Sequence, residues 1–321
     1  MQTYRAPWWL PGGHLQTIYA SLLAHKPHVV YRRERWELAD GDFLDLDWVD
    51  GDPHKPLLAL FHGLEGSSQG HYALALMDAL RQHGWRGVVV NFRGCSGTPN
   101  RLPRAYHSGD SAEIKMALTY LKTQAGSQPL YAAGISLGAN ALLKWLGESG
   151  LEAQQLLAGA AAISAPVDLA SAGSRLDRGF NRYSYTRHFL QTLRRKTQEK
   201  ITAHRLPITP RELRAAKTLY AFDNLYTAPM HGYRDADDYW QRASSKPWLN
   251  SIAVPTLIVH ARNDPFLSAN TYLDKDLLSP HITLDLPRQG GHVGFVSGPF
   301  PGKLNWLPKR VLHFFSQQHD S

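Results

Sequence analysis

Hydrophobic and polar residues along this chain alternate in blocks that predict buried strands and amphipathic helices. Continuous apolar runs that end in glycine or a polar loop occur at 56–63, 87–94, 129–135 and 157–164. Such runs are typical of parallel strands that are covered on both faces. Helical periodicity predicts helices over 72–83, 111–122 and 141–148. This order predicts an α/β fold, with a mostly parallel sheet and helices on both faces.

The residues before the first parallel strand follow a different pattern. After an aromatic and proline-rich start, apolar residues alternate with polar ones on both sides of Asp40 and Gly41. A two-residue Asp-Gly centre between alternating segments is a strong signal for a β-hairpin. We therefore expect an antiparallel pair of strands ahead of the parallel sheet.

The alternation of strands and helices stops after Pro166 and resumes near Val254. Residues 168–250 contain many helix formers and no clear strand, whereas 254–261 and 281–287 predict two more strands and 304–317 a closing helix. We interpret 168–250 as a helical cap insertion in one core domain made of 1–167 and 251–321. Its aromatic residues are candidates for lining a substrate pocket.

Composition excludes several classes of protein. The chain has 321 residues, of which 43% are apolar, so it is neither a disordered protein nor a small disulfide-rich one. Its single cysteine, Cys95, excludes an intramolecular disulfide and a zinc site of several cysteines. Pro7 and Pro11 interrupt the N-terminal residues, and no later run approaches the roughly 20 apolar residues of a membrane span. We expect a soluble, cytoplasmic protein.

A candidate nucleophile lies in the sequence Gly-Ile-Ser-Leu-Gly at 134–138. The motif alone is weak, but here it falls between a predicted strand and a predicted helix. A turn from strand to helix within one residue would lift the Ser136 hydroxyl above the carboxyl edge of the sheet, at a helix N-terminus. A helix-capping serine between two packing glycines is the alternative interpretation.

A nucleophilic serine requires a base, and the base requires an acid that orients it. In this kind of fold the acid and the histidine follow the serine in the chain, each in a loop after a later strand. Asp264 follows the strand at 254–261, and His292 follows the strand at 281–287. Each could also be an ordinary loop residue, but both occur in the required order after the required strands.

Backbone amides should stabilise the oxyanion that forms during acyl transfer. We predict the amides of Leu137, which follows Ser136, and of Leu64, in the glycine-rich loop after the first parallel strand, with Gly63 as a weaker candidate. A phosphate-binding loop is excluded there because no Gly-Lys-Ser/Thr follows. We interpret His62 as a loop-stabilising residue and Cys95 as a packing residue.

Five segments together resemble the α/β-hydrolase superfamily and, within it, the bacterial YheT-like branch of esterases. They are HGLEGSS, NFRGCSGTPN, GISLGANALLKWLGE, ARNDPFL and GGHVGF. The N-terminal PWWLPGGHLQTI and the later FDNLYTAPMHGY also resemble that branch. The family's charge relay maps onto Ser136, Asp264 and His292. The resemblance implies hydrolysis of carboxylic esters and does not specify the substrate.

The resulting hypothesis is a serine esterase that acts through an acyl-enzyme, on short- to medium-chain or lipid-like esters. It requires no cofactor and no metal. An acyltransferase or an amidase with the same triad, and a non-catalytic binding protein on a hydrolase fold, remain alternatives. Nothing in the sequence indicates specific nucleic-acid binding or an oligomeric state.

The net charge of +8 is concentrated in the predicted insertion. Residues 168–250 contain 15 Lys and Arg against 8 Asp and Glu, so the rest of the chain is nearly neutral. This charge either forms a solvated helical face or contacts an anionic lipid surface or an acidic substrate through the stretch Arg194–Lys196.

Overall fold

The computed structural model describes residues 3–267 and 278–319 of the chain. Within these residues, eight strands form one sheet in the order β1-β2-β4-β3-β5-β6-β7-β8. The strands are β1 (Arg32–Glu37), β2 (Phe43–Val49), β3 (Leu57–Phe61), β4 (Arg86–Asn91), β5 (Leu130–Ile135), β6 (Gly159–Ile163), β7 (Thr256–Val259) and β8 (Ile282–Asp285). The predicted hairpin forms the antiparallel pair β1–β2, and every pairing from β4 to β8 is parallel.

Helices precede, connect and follow these strands. In the sheet-forming part they are α1 (Gly13–Leu22), α2 (His71–Gln82), α3 (Ser111–Ala125), α4 (Leu137–Ser149) and the closing α12 (Trp306–His319). Between β6 and β7 they are α5 (Leu169–Leu176), α6 (Gly179–Asn181), α7 (Arg187–His204), α8 (Pro210–Ala215), α9 (Leu219–Phe222), α10 (Ala228–Met230) and α11 (Ala236–Ala243).

The two faces of the sheet have separate apolar cores because side chains alternate along each strand. In β3, Leu57 and Phe61 pack on the face that α3 and α4 cover, whereas Leu58 and Leu60 pack on the face that α2 and α12 cover. All of these side chains are fully buried. A strand buried on both faces cannot alternate apolar with polar residues, which explains the continuous apolar runs in the sequence. The predicted α/β fold, with a mostly parallel sheet and helices on both faces, is confirmed.

The residues between β6 and β7 form a third apolar cluster of their own, around Phe222, Tyr239 and Trp240. Asn140, on α4, joins this cluster to the sheet. Its side-chain amide donates to the carbonyl oxygens of Ser108 and Ala243 at 2.8 Å each. Asn140 Oδ1 accepts from the Ser245 amide at 3.0 Å. One buried side chain therefore attaches the C-terminal end of the insertion to α4.

The structure differs from the sequence-based expectations in three places. Helix α1 lies in the N-terminal segment, for which no element was predicted. Helix α4 starts at Leu137, four residues before the predicted start, because the chain turns directly from Ser136 into the helix. Strands β7 and β8 are shorter than the apolar runs that predicted them, although the amides of His260 and Arg262 beyond β7 still donate to the carbonyl oxygens of Asp285 and Pro287.

Candidate active site

Ser136 lies at the turn between β5 and α4, with a backbone φ of 51°. Few residues other than glycine adopt this left-handed conformation, and it costs about 1–3 kcal/mol unless the surroundings enforce it. The Ser136 amide donates to the carbonyl oxygen of Ile163 on β6 at 2.8 Å. A side chain at Gly138 would come within 2.5 Å of the carbonyl oxygen of His62, so the turn packs tightly against the end of β3.

Ser136, His292 and Asp264 form one hydrogen-bonded chain. His292 Nε2 lies 2.9 Å from Ser136 Oγ, and His292 Nδ1 lies 2.8 Å from Asp264 Oδ2. Because a carboxylate can only accept, Nδ1 carries the proton of the neutral ring, which leaves Nε2 as an acceptor for the serine hydroxyl. The three predicted residues are therefore together in the arrangement that a general base requires.

Asp264 is almost fully buried, yet both carboxylate oxygens have partners. Its Oδ1 accepts from the amides of Phe266 at 2.8 Å and Leu267 at 3.3 Å, while Oδ2 faces His292. These amides compensate for the lost hydration of the charge. They also fix the carboxylate plane, so the histidine meets an oxygen in a set position.

The glycine-rich loop after β3 lies beside Ser136. A side chain at Gly63 would come within 3.2 Å of Ser136 Cβ, so this backbone passes close to the nucleophile and leaves little room for a larger residue. Tyr72 Oη accepts from the Gly63 amide at 3.1 Å, and Tyr106 Oη accepts from the Glu65 amide at 2.7 Å. The Leu64 amide lies between these two anchored amides.

Leu64 and Leu137 both line the cavity that contains Ser136 and His292. Leu137 is the first residue of α4, and the first amides of a helix have no partner within it. Both predicted donor residues therefore lie at the wall of the cavity that contains the nucleophile. Their role as an oxyanion hole stays a prediction.

The contacts of His62 stabilise the glycine-rich loop. Its Nδ1 faces the Gly63 carbonyl oxygen at 2.8 Å, and its Nε2 accepts from the Phe92 amide at 3.0 Å. Since Nε2 accepts, Nδ1 must donate, which fixes the tautomer. Complete burial lowers the pKa of His62 to about 4. The loop-stabilising interpretation made from the sequence agrees with these contacts.

Cys95 also lies at the cavity wall, buried next to the Lys196 ammonium at 3.5 Å. Burial raises the pKa of its thiol to about 12, which keeps the nucleophilic thiolate scarce. Arg93, two residues earlier, is held by three carboxylates, those of Asp40, Asp42 and Glu113. Both residues therefore belong to the framework of the cavity wall.

Helix α1 holds the loop that carries His292, a role that was not predicted. Thr17 Oγ1 accepts from the His292 amide at 2.8 Å and donates to the Gly13 carbonyl oxygen at 2.7 Å. Gln16 Oε1 accepts from the Gly290 amide at 2.8 Å and from Asn263 Nδ2 at 3.0 Å. The sequence contains one feature that could have predicted this role: the adjacent polar residues Gln16 and Thr17 lie inside the apolar stretch HLQTIYASLLA.

The site opens into a cavity of about 1130 Å³ between the sheet edge and the insertion. Most of its lining is apolar, from residues such as Leu176, Phe189, Leu193 and Phe266. Glu65, next to Leu64, pairs there with Lys196 of α7 at 2.9 Å, so the insertion is tied to the glycine-rich loop. Across the described residues, no group of three or more His, Cys, Asp and Glu side chains could hold a metal ion.

Known proteins with this sequence pattern share the same fold. The model of a family described as the alpha/beta hydrolase fold matches residues 56–299. The candidate esterase YheT of Escherichia coli (strain K12) is 40% identical over 303 residues, covering 93% of this chain and 88% of that protein. The phospholipase ABHD3 of Homo sapiens is 28% identical, covering 98% of this chain and 78% of that protein.

A solved structure agrees at the level of the fold. An esterase of Pyrococcus furiosus superposes with a TM-score of 0.57 at 16% identity, covering 91% of this chain and 98% of that one. The family match and the close relative together cover the sheet, the insertion and the loops of the site. The chain therefore belongs to the α/β-hydrolase family and, within it, to the YheT-like branch.

Proposed function

We propose that this chain is a serine hydrolase that cleaves carboxylic esters through an acyl-enzyme. One observation carries the proposal: Ser136, His292 and Asp264 form a hydrogen-bonded chain that ends at the wall of a large apolar cavity. The strained serine at a helix N-terminus supports it, since the turn exposes the hydroxyl while the helix dipole favours negative charge there. The relatives described as esterase and phospholipase also support it.

In the first step Ser136 Oγ attacks the ester carbonyl while its proton passes to His292 Nε2. Asp264 keeps the other ring nitrogen protonated and stabilises the imidazolium that forms. The carbonyl oxygen becomes an oxyanion and accepts hydrogen bonds from the amides of Leu64 and Leu137. His292 then donates its proton to the departing alkoxide, which leaves as an alcohol, and the acyl group stays on Ser136.

In the second step water takes the place of the alcohol. His292 Nε2 removes a proton from water as its oxygen attacks the acyl-enzyme carbonyl, and a second oxyanion forms at the same amides. The proton on His292 then returns to Ser136 Oγ, and the carboxylic acid leaves. The residues present supply every proton transfer, and the reaction needs no oxidant or reductant.

The cavity favours an acyl group of some length. Its volume of about 1130 Å³ is slightly above the usual range of ligand pockets, and its lining is mostly apolar. Phe266 packs against the His292 ring with centroids 4.2 Å apart, so an apolar wall begins at the reacting atoms. We therefore propose medium-chain or lipid-like esters as substrates.

The decisive experiment compares the natural chain with Ser136→Ala. We expect the variant to keep its fold and to lose at least about a thousandfold in p-nitrophenyl ester turnover. A serine-directed fluorophosphonate should label the natural chain and not the variant. Near-normal turnover by Ser136→Ala, or labelling that survives it, would contradict the proposal.

Two further assays separate this function from its alternatives. A series of p-nitrophenyl esters of increasing chain length should give kcat/KM values that rise as the acyl group fills the cavity. Added alcohol or amine acceptors should leave the free acid as the main product. If ester or amide products dominated, the chain would be an acyltransferase. If neither turnover nor labelling occurred, it would be a binding protein.

A further inference from the structure

Helix α1 distributes its polar and apolar residues in the opposite way to an ordinary surface helix, with polar side chains buried and apolar ones exposed. Its polar residues Gln16 and Thr17 are buried against the His292 loop, whereas Leu15 and Leu22 are 52% and 72% exposed. Leu15, Ile18 and Leu22 follow the i, i+3, i+7 spacing of one helix face. The outer face of α1 is therefore an apolar stripe that is exposed at Leu15 and Leu22 and half-buried at Ile18.

A second exposed apolar group adjoins this stripe, in the insertion. Phe180 and Tyr183 are 57% and 75% exposed. The ring of His14, at the start of α1, contacts the Phe180 ring with centroids 4.8 Å apart, and His14 Nδ1 lies 3.1 Å from Tyr185 Oη. The stripe on α1 and the residues around Phe180 therefore form one continuous surface, which we name the apolar rim.

The apolar rim lies at the mouth of the active-site cavity. Leu22 and Lys26 line the cavity and are exposed to solvent. His188 and Arg195 of α7 also line the cavity and are exposed. Both helices therefore supply solvent-exposed residues to the wall of the cavity that contains Ser136.

The charge around the rim has a single sign over two long segments. Residues 1–33 contain no Asp or Glu, and neither do residues 178–198, which contain six Arg and Lys. The first acidic residue on the α7 side is Glu199. Exposed leucines and aromatics flanked by basic side chains match the boundary of an anionic bilayer, whose charge attracts Arg and Lys while its acyl region accepts apolar side chains.

We propose that the apolar rim docks this protein on an anionic lipid surface, so that the cavity opens toward the membrane. The stretch Arg194–Lys196 is not the centre of this surface. Lys196 is paired with Glu65, and Arg194 donates to the Ala216 carbonyl oxygen, so both point into the protein. Docking concerns the outer surface and does not depend on the proposed ester chemistry.

The test uses full-length protein that carries Ser136→Ala, so that vesicles stay intact during the measurement. Sedimentation with phosphatidylcholine vesicles, with and without phosphatidylglycerol, gives the partition coefficient. We expect binding to the anionic vesicles that weakens with salt. Leu15→Asp with Leu22→Asp should weaken it about tenfold or more. Lys26→Glu or Arg187→Glu, both at exposed positions, should weaken it at least about fivefold each, given the contribution of one basic residue near the surface.

Matched controls exclude a general effect of added charge. Leu151 is 74% exposed on the turn after α4, and Arg211 is exposed on α8. Leu151→Asp and Arg211→Glu should bind as the parent does, and thermal unfolding should show that all variants are folded. Absent binding to anionic vesicles, equal losses in the controls, or a loss confined to Arg195→Glu would each overturn the proposal. None of these results bears on turnover of a soluble ester by the natural chain.

Discussion

The two halves of the candidate site are held in different ways. On the nucleophile side, Ser136 is positioned by the five residues 134–138, which form the turn between one strand and one helix. On the histidine side, the His292 amide is held by Thr17, which lies 275 positions away in the chain. The same hydrogen-bonded chain therefore joins a local structure to one that exists only after distant segments pack.

This difference in how the two halves are held determines how far each can move. A strained turn packed against β3 has little freedom, since any shift creates a collision or breaks the β5 pairing. The His292 loop instead depends on hydrogen bonds from α1, each worth about 1 kcal/mol. Changes on the nucleophile side should therefore be severe, and changes in the α1 contacts should be graded.

The largest expected effect is the loss of the carboxylate on the histidine side. Asp264→Asn replaces an acceptor with an amide that can donate to Nδ1, which favours the wrong tautomer of His292. We expect kcat for ester hydrolysis to fall about ten-thousandfold near neutral pH, with the fold retained. Steady-state kinetics and circular dichroism test this. Turnover within about tenfold of the natural chain would show that Asp264 does not orient the base.

The next effect comes from the nucleophile side. Gly138→Ala places a methyl group against the carbonyl oxygens of Phe61 and His62. We expect about 3 kcal/mol of lost stability in urea unfolding, as in other overpacked sites, and a fall in kcat of at least about a hundredfold. Gly126→Ala is the control, because it has a positive φ but open space around it. It should cost about 1 kcal/mol and leave kcat unchanged.

The sequence predicted the nucleophile side better than the histidine side for the same physical reason. A strand, a glycine-flanked serine and a helix are adjacent in the chain, so their pattern alone specifies the turn at Ser136. Asp264 and His292 could be located because each follows a strand. The supports of the His292 loop could not, since Gln16 and Thr17 meet it only in the folded state, and α1 lies after a proline-rich segment that suggested no helix.

Acid should lower the stability of the fold on both sides of the site, because each side contains a buried neutral histidine. Burial lowers the pKa of His62 and of His71 to about 4, and His71 Nε2 lies 2.9 Å from the carbonyl oxygen of Val293, next to His292. The unfolded chain binds protons below about pH 6.5, whereas these folded sites do not until about pH 4. The stability that depends on these histidines being neutral is therefore fully present above about pH 6.5 and is lost as the pH falls toward 4.

Each of these two histidines should cost about 2 kcal/mol of stability at pH 5 relative to pH 7. His71→Gln removes the titration while keeping a donor for the Val293 carbonyl oxygen. Urea unfolding at both pH values should show that its stability falls less on acidification than that of the natural chain. His54→Gln, at an exposed position, should behave as the natural chain does. Identical acid sensitivity in all three proteins would exclude this linkage for His71.

The smallest effect tests whether the histidine side is graded. Thr17→Val keeps the shape of the side chain but removes the acceptor of the His292 amide. One lost hydrogen bond of about 1 kcal/mol should lower kcat about fivefold, because the His292 loop shifts relative to Ser136, while KM for a soluble ester changes little. Thr17→Ser, which retains the hydroxyl, should restore kcat. If Thr17→Val altered only thermal stability, α1 would support the fold without influencing the base. The histidine side would then differ from the nucleophile side only in being held by a distant segment of the chain, and its contacts to α1 would not tune kcat.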